Sequence, residues 1–199
     1  MPRVLSDEDI AGFRDRLCDA AARIFFERGR DGFNMRELAS RLGVSAMTPY
    51  RYFKDKDEIL AAVRARAFER FTDRLETALA GPGTLMERST AAGTAYLRFA
   101  LDEPQAYRLM FDLSQPAEDN FPELAAASRR ARDTMTDHVR RLVDAGLYEG
   151  DPALIGHVMW ASLHGAVALH LAGKLSGQPD FEAVRSEAMR ALNSAYRNS

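Results

Sequence analysis

Residues 34–56 read Asn-Met-Arg-Glu-Leu-Ala-Ser-Arg-Leu-Gly-Val-Ser-Ala-Met-Thr-Pro-Tyr-Arg-Tyr-Phe-Lys-Asp-Lys. This stretch carries five cations, Arg36, Arg41, Arg51, Lys54 and Lys56, against two acids, Glu37 and Asp55. The whole chain of 199 residues has a net charge of −2, so any attraction to a polyanion is local rather than global. Guanidinium and ammonium groups neutralise phosphate oxygens, while Ser45, Thr48, Tyr50 and Tyr52 add hydroxyls suited to phosphates and base edges.

A second group is apolar with polar tips: Tyr96, Phe99, Tyr107, Met110, Phe111, Met135, His138, Trp160 and His164. Such residues line small-molecule cavities, and at helical spacing they equally make ordinary core. His157, His164 and His170 share a predicted helix, but no His-x-x-x-His or Cys-His spacing builds a metal site, and no cofactor motif stands out. His164, just before Gly165, reads as packing beside Trp160 or donating to a carbonyl. Cys18 reads as a small buried hydrophobe, and a lone cysteine fits a reducing compartment. Paired carboxylates, a nucleophile motif and a glycine-rich phosphate loop are all missing, which argues for binding rather than catalysis.

The elements that must position these residues are helical. Alternating β-branched runs and Asn-Gly or Asp-Gly hairpin turns are absent, whereas three- and four-residue apolar steps recur throughout. Ile10, Phe13, Leu17, Ala21, Ile24 and Phe25 make one stripe, with Ser6 as its N-cap and Gly29 and Gly32 at its end. Asn34 caps a second, short helix, Glu37 completes a capping box, and Gly43 stops it. A third helix is expected from about Ser45 to Phe53, with Pro49 in its opening turn, where a missing N–H costs little. Two short helices meeting at Gly43 and Val44 form a helix-turn-helix pattern, with Ala39 small at the crossing and Val44 in the wedge. A long fourth helix starts at Asp57 and ends at the Gly81-Pro82-Gly83 break. Five more helices follow, near 85–101, 104–111, 122–145, 152–172 and 181–196. The Arg129, Arg130, Arg132 and Arg140, Arg141 groups read as solvated helix faces. No stretch approaches the roughly 20 apolar residues of a membrane span. The fold class is therefore all-α, with about nine helices.

The run Leu42-Gly-Val-Ser, then Tyr50-Arg-Tyr-Phe-Lys-Asp-Lys56 and Glu58-Ile-Leu60, resembles the DNA-binding domain of the TetR family of repressors over residues 8 to 60. The resemblance implies a recognition helix in the major groove. Tyr50, Tyr52 and Lys56 then grip phosphates, and Ser45, Ala46, Met47, Thr48 and Arg51 face bases. Asn34 and Arg36, at the start of the second helix, complete the DNA-binding set. Pro49 departs from the leucine that members commonly carry and shifts the start of that helix. Trp160-Ala-Ser-Leu-His164-Gly165, with Tyr96-Leu-Arg-Phe-Ala and Pro104-Gln-Ala-Tyr-Arg-Leu-Met-Phe111, resembles the TetR-type C-terminal domain characterised by its Trp, His and Gly.

The resemblance implies a helix-turn-helix domain over 1–56 and a helical ligand-binding and dimerisation domain over 57–199. It further implies a homodimer through the last two helices, a palindromic double-stranded operator and a small-molecule inducer that releases it. Such a protein works in the cytoplasm without membrane, metal or cofactor. A helical protein-binding adaptor and an all-α enzyme acting on a small molecule are the alternatives. Salt-dependent operator binding separates the first from a repressor, and turnover of a bound small molecule identifies the second.

Overall fold

A computed structural model describes residues 7–111 and 117–198, so the expected Ser6 cap lies outside the described residues. Among these there are eight α-helices and two short 3₁₀ turns, with a single isolated bridge, Tyr148 to Arg197, in place of any strand. The helices are α1 (Asp7–Gly32), α2 (Met35–Arg41), α3 (Lys56–Leu79), α4 (Leu85–Asp102), α5 (Pro104–Met110), α6 (Pro122–Asp144), α7 (Pro152–Leu171) and α8 (Phe181–Tyr196). The 3₁₀ turns are Pro49–Arg51 and Glu118–Asn120. The chain divides into two compact units, Met1–Phe68 with Arg108–Ala127, and Glu69–Tyr107 with Ser128–Ser199. Helix α3, the predicted fourth helix, contributes to both.

In the first unit the stripe on α1 is buried from Leu17 onward: Leu17, Ala21 and Ile24 are fully enclosed and Cys18 lies among them, whereas Phe13 is half-buried and Ile10 is exposed. Gly29 sits at φ 67°, ψ −177°, so α1 kinks there, and its last residues run on to Gly32. Phe25 stacks on Phe33 at 4.2 Å, and both join a core that includes Leu38, Phe53, Ile59 and Leu60. Arg30 clamps Asp57 through both carboxylate oxygens, at 3.0 and 3.1 Å, tying the end of α1 to the start of α3. Arg64, buried on α3, donates to the Met110 carbonyl at 3.2 Å and to Glu118 at 3.1 Å.

In the second unit, Val139, Leu142, Tyr148, Ile155 and Met159 form a core against which Met189, Leu192 and Tyr196 of α8 pack. Thr84 and Glu87 form a reciprocal capping box that starts α4 directly after the glycine-proline-glycine break. Gly156 lets α7 cross α6 closely, because a Cβ there would lie 3.1 Å from the Thr136 methyl and 3.3 Å from the Met135 carbonyl oxygen.

Helix α7 corrects one sequence expectation: over its 20 residues it is long and apolar enough to cross a membrane by length and composition. The apolar residues are diluted in sequence because alanines, glycines and three histidines separate the larger side chains. Only a third of its apolar window is buried within the chain, and Leu154 and Leu169 stand exposed.

Candidate nucleic-acid interface and ligand cavity

The turn after α2 is a complete Schellman motif. Gly43, at φ 65°, donates to Ser40 at 3.1 Å, and Val44 donates to Ala39 at 3.0 Å. Asn34 caps the other end of α2, its side-chain oxygen accepting from the Glu37 N–H at 2.8 Å. The capping box is only half built, because the Glu37 carboxylate turns to Arg28 and Arg41, each at 2.8 Å. Arg41 also pairs with Glu27, and the two acids hold its guanidinium above its ordinary range.

The expected helix from Ser45 to Phe53 is not continuous. It is a chain of tighter turns: Thr48 donates to Ser45 at 2.9 Å, Arg51 to Thr48 at 3.1 Å and Tyr52 to Pro49 at 3.0 Å. Pro49 has no N–H to return to the Ser45 carbonyl, so Thr48 takes that acceptor and a 3₁₀ turn begins at Pro49. Proline does occupy the first position of its turn, as expected, but the residue before it is Thr48 rather than Ser45 or Ala46.

This geometry leaves a surface. Ser45, Ala46, Met47, Tyr50 and Arg51 are exposed, Met47 at 68%, while Pro49 and Phe53 anchor the segment from below. Thr48, Tyr52 and Lys56 are half-buried, and Tyr52 lies tilted on Phe13 with ring centroids 5.0 Å apart. Asn34 and Arg36 are exposed at the start of α2. Among the described residues the cations sort into two sets. Arg28, Arg30 and Arg41 are ion-paired within the unit, whereas Arg36, Arg51, Lys54 and Lys56 take part in no ion pair. The second set remains available for an external polyanion. The pairing of Arg41 is what sequence reasoning missed, since Glu27 is 14 residues away.

The second unit holds a cavity of about 50 Å³ between α3, α4, α6 and α7. Of the nine expected ligand residues, Tyr96, Met135, His138 and Trp160 line it. Tyr107 and His164 lie one step behind: the Tyr96 and Tyr107 hydroxyls are 2.5 Å apart, and Tyr107 Oη is 2.6 Å from His164 Nδ1. The Trp160 ring stands edge-on to His164, with centroids 6.4 Å apart. His164 thus packs beside Trp160 as expected, but its partner is a hydroxyl rather than a carbonyl.

The other three expected residues stand farther from this cavity's wall or in the other unit. Phe99 is enclosed beside Phe71, with Arg74 over its ring at 5.2 Å. Met110 and Phe111 belong to the other unit, where Phe111 meets Phe68 edge-on at 5.9 Å. Leu75, Leu79, Ala92, Gly93, Thr134 and Leu163 complete most of the wall. No sequence motif marked these residues, because they come from four helices separated by up to 88 positions, from Leu75 to Leu163.

Burial keeps the cavity's titratable groups neutral. It pushes the Tyr96 phenol up to about 12, pushes Tyr107 well above its usual range, and lowers both His138 and His164. His138 Nδ1 lies 3.4 Å from the Thr134 carbonyl, which can only accept, so that nitrogen carries the proton and Nε2 is the acceptor. Among the described residues no cluster of three His, Cys, Asp or Glu side chains is placed to hold a metal ion.

Two family models match the chain: "Bacterial regulatory proteins, tetR family" over residues 17–63, and "Tetracyclin repressor-like, C-terminal domain" over residues 89–192. The HTH-type transcriptional activator FasR of Mycolicibacterium smegmatis is 33% identical over 136 residues, covering 67% of this chain and 61% of FasR. The HTH-type transcriptional repressor KstR of the same organism is 35% identical over 75 residues, covering 38% of this chain and 37% of KstR. The chain therefore aligns with less than two thirds of the length of either relative. Among solved structures, that of a Rhodococcus sp. RHA1 protein of unknown function has a TM-score of 0.80 at 28% identity. It covers 93% of this chain and 95% of that one.

Proposed function

Because the chain belongs to the TetR family of bacterial regulatory proteins, we propose that it is a homodimeric transcriptional repressor released from a palindromic operator by a small-molecule inducer. The observation that carries this reading is the outward face of the segment after Gly43. Exposed Tyr50 and Arg51, exposed Arg36 and ion-pair-free Lys54 and Lys56 stand on a rigidly capped turn, and no internal acid consumes their charge. Residues 1–56 carry the DNA-binding role and residues 57–199 the ligand and dimer roles.

In this reading Tyr50, Tyr52 and Lys56 hold phosphates, while Ser45, Ala46, Met47, Thr48 and Arg51 face base edges. Asn34 and Arg36 support the approach of α2. Dimerisation is supported by α7, whose exposed Leu154 and Leu169 find no cover within the chain, and by α8, which buries no residue fully. The inducer cavity is the one lined by Tyr96, Met135, His138 and Trp160. Helix α3 is the proposed lever, since one continuous helix serves both units. A coupling of about 1–3 kcal/mol suffices to release an operator about 5–150-fold. The protein binds and does not turn its ligand over, and it works where the bacterial chromosome lies, in the cytoplasm. The sign of regulation is read as repression through operator occupancy, as in KstR's name, against FasR's name as an activator.

The test is selection of duplexes from a random pool, followed by fluorescence anisotropy of the enriched duplex across a salt series. A palindrome bound at nanomolar strength, with affinity falling steeply in salt, is the expected result. Tyr50→Phe combined with Lys56→Ala weakens binding to all sequences and flattens the slope by about one unit of log K per log salt for the lysine. An unchanged slope removes these residues from the phosphate contacts, and no enriched motif overturns the regulator.

A further inference from the structure

The cavity wall reports the chemical class of what it accepts, and this inference rests on the reading of that cavity as the ligand site. Its lining contains no Lys, Arg, Asp or Glu. Glu76, behind the lining residue Thr134, accepts from its hydroxyl at 3.1 Å and is itself clamped by Arg130. A charged ligand here would leave water without an opposite charge to meet it, and such burial costs several kcal/mol.

The polar atoms that remain are neutral and few. The Tyr96 hydroxyl shares a single proton with the Tyr107 hydroxyl, which in turn meets His164 Nδ1. When the Tyr107 proton points at His164, the Tyr96 proton points at Tyr107 and a Tyr96 lone pair is left for a ligand hydroxyl. When His164 carries its proton on Nδ1, the donors reverse, and the Tyr96 proton is left for a ligand carbonyl. Both arrangements involve no net charge.

Gly93 supplies the second, independent observation. It sits inside the 18-residue α4, where glycine costs about 1 kcal/mol relative to alanine, yet a Cβ built there meets nothing within 4 Å. Packing within the chain therefore does not demand glycine, and the empty volume lies on the cavity wall. A cavity of about 50 Å³ is well below the roughly 300–1,000 Å³ of drug-sized sites, so side chains must move to admit a ligand. Met135 is the flexible one on the wall.

We propose that this cavity takes an uncharged, predominantly hydrocarbon molecule bearing one carbonyl or hydroxyl oxygen, which seats that oxygen at Tyr96 and its carbon chain against Gly93.

Trp160 is the only tryptophan in the chain and lines the cavity, so its fluorescence reads occupancy directly. The full-length protein is titrated with 2-alkanones and 1-alkanols from four to ten carbons, and with alkylamines and alkanoates of matched length at pH 7.5. The expected result is a saturable Trp160 response to neutral members, with charged members at least tenfold weaker at equal length. Tyr96→Phe weakens ketone and alcohol binding roughly three- to tenfold while leaving matched alkanes unchanged. Gly93→Ala shortens the best-fitting chain, and Gly93→Leu abolishes the response. An amine or carboxylate that binds as tightly as its ketone overturns the proposal, as does a response indifferent to Gly93→Ala. So does a series in which no neutral member gives saturation. Operator binding by ligand-free protein is measured in parallel: its absence removes the regulator, whereas its presence with a failed titration removes only the ligand class.

Discussion

Gly43 and Gly93 both have open space where a Cβ would stand, yet they answer substitution in opposite ways. At Gly43 the backbone is left-handed, φ 65°, so alanine is strained by roughly 1–2 kcal/mol with no clash at all. At Gly93 the backbone is helical, so alanine relieves roughly 0.5–1 kcal/mol of unfolded-state entropy. Urea denaturation of Gly43→Ala and Gly93→Ala should therefore move the midpoint down and up respectively. Equal shifts would mean that backbone conformation does not control these sites. The first glycine was legible in sequence, because it follows a capped amphipathic turn and precedes Val-Ser. The second was not, since a helix-interior glycine has no local signature of the space beside it. His164 shows the same division: its neighbourhood with Trp160 follows from a four-residue helical step, whereas its bond to Tyr107 joins residues 57 positions apart.

Among the elements, the segment from Ser45 to Tyr52 depends on one missing N–H. Pro49→Ala supplies that donor, and a regular α-helical bond from residue 49 to Ser45 becomes available. The expected outcome is amide-exchange protection at residues 49 to 53 and a changed half-site in duplex selection, because a 3₁₀ turn sets side chains nearer 120° apart than 100°. Unaltered protection and an unaltered half-site would show that surrounding contacts hold the turn. Helices α7 and α8 make the other element-scale case. Leu154 and Leu169 are 59% and 46% exposed on a helix that is apolar on every side. Leu154→Asp with Leu169→Asp should convert a dimer into the 22.2 kDa monomer by light scattering, with helical content retained. A dimer that survives both substitutions would place the interface elsewhere.

Across the whole molecule, two half-buried histidines, His138 and His164, link stability to pH. Burial lowers both His138 and His164 below 6.5, so the unfolded chain binds protons that the folded chain refuses. Stability is complete above the unfolded value of about 6.5 and is lost as pH falls from there toward the folded values. The lowered carboxylates, Glu76 and Glu87 among them, add their loss only below about 4.5. Urea midpoints should thus decline between pH 7 and pH 5 and decline less in His138→Gln. A midpoint flat to pH 5 would mean that neither ring is held neutral. Charge is distributed with similar economy. The chain is acidic by two units overall, yet four cations in no ion pair, Arg36, Arg51, Lys54 and Lys56, lie within 21 residues, so salt dependence should track this local cluster and not net charge.

What the sequence determined by itself was local and periodic: an all-helical chain, the capped α2, the glycine turn, the proline at the start of its turn and the family likeness carried by residues 42 to 60. Helical periodicity, caps and turns depend on neighbours within four or five positions, so one strand of text contains them. The tertiary structure decided which cations are spent on Glu27, Glu37 and Asp57, that Phe99, Met110 and Phe111 stand outside the wall of this cavity, and that Tyr96, Tyr107 and His164 share one hydrogen-bonded chain. Each of these depends on side chains brought together from distant helices, where the same Phe, Met or Arg fits several environments and only packing selects one.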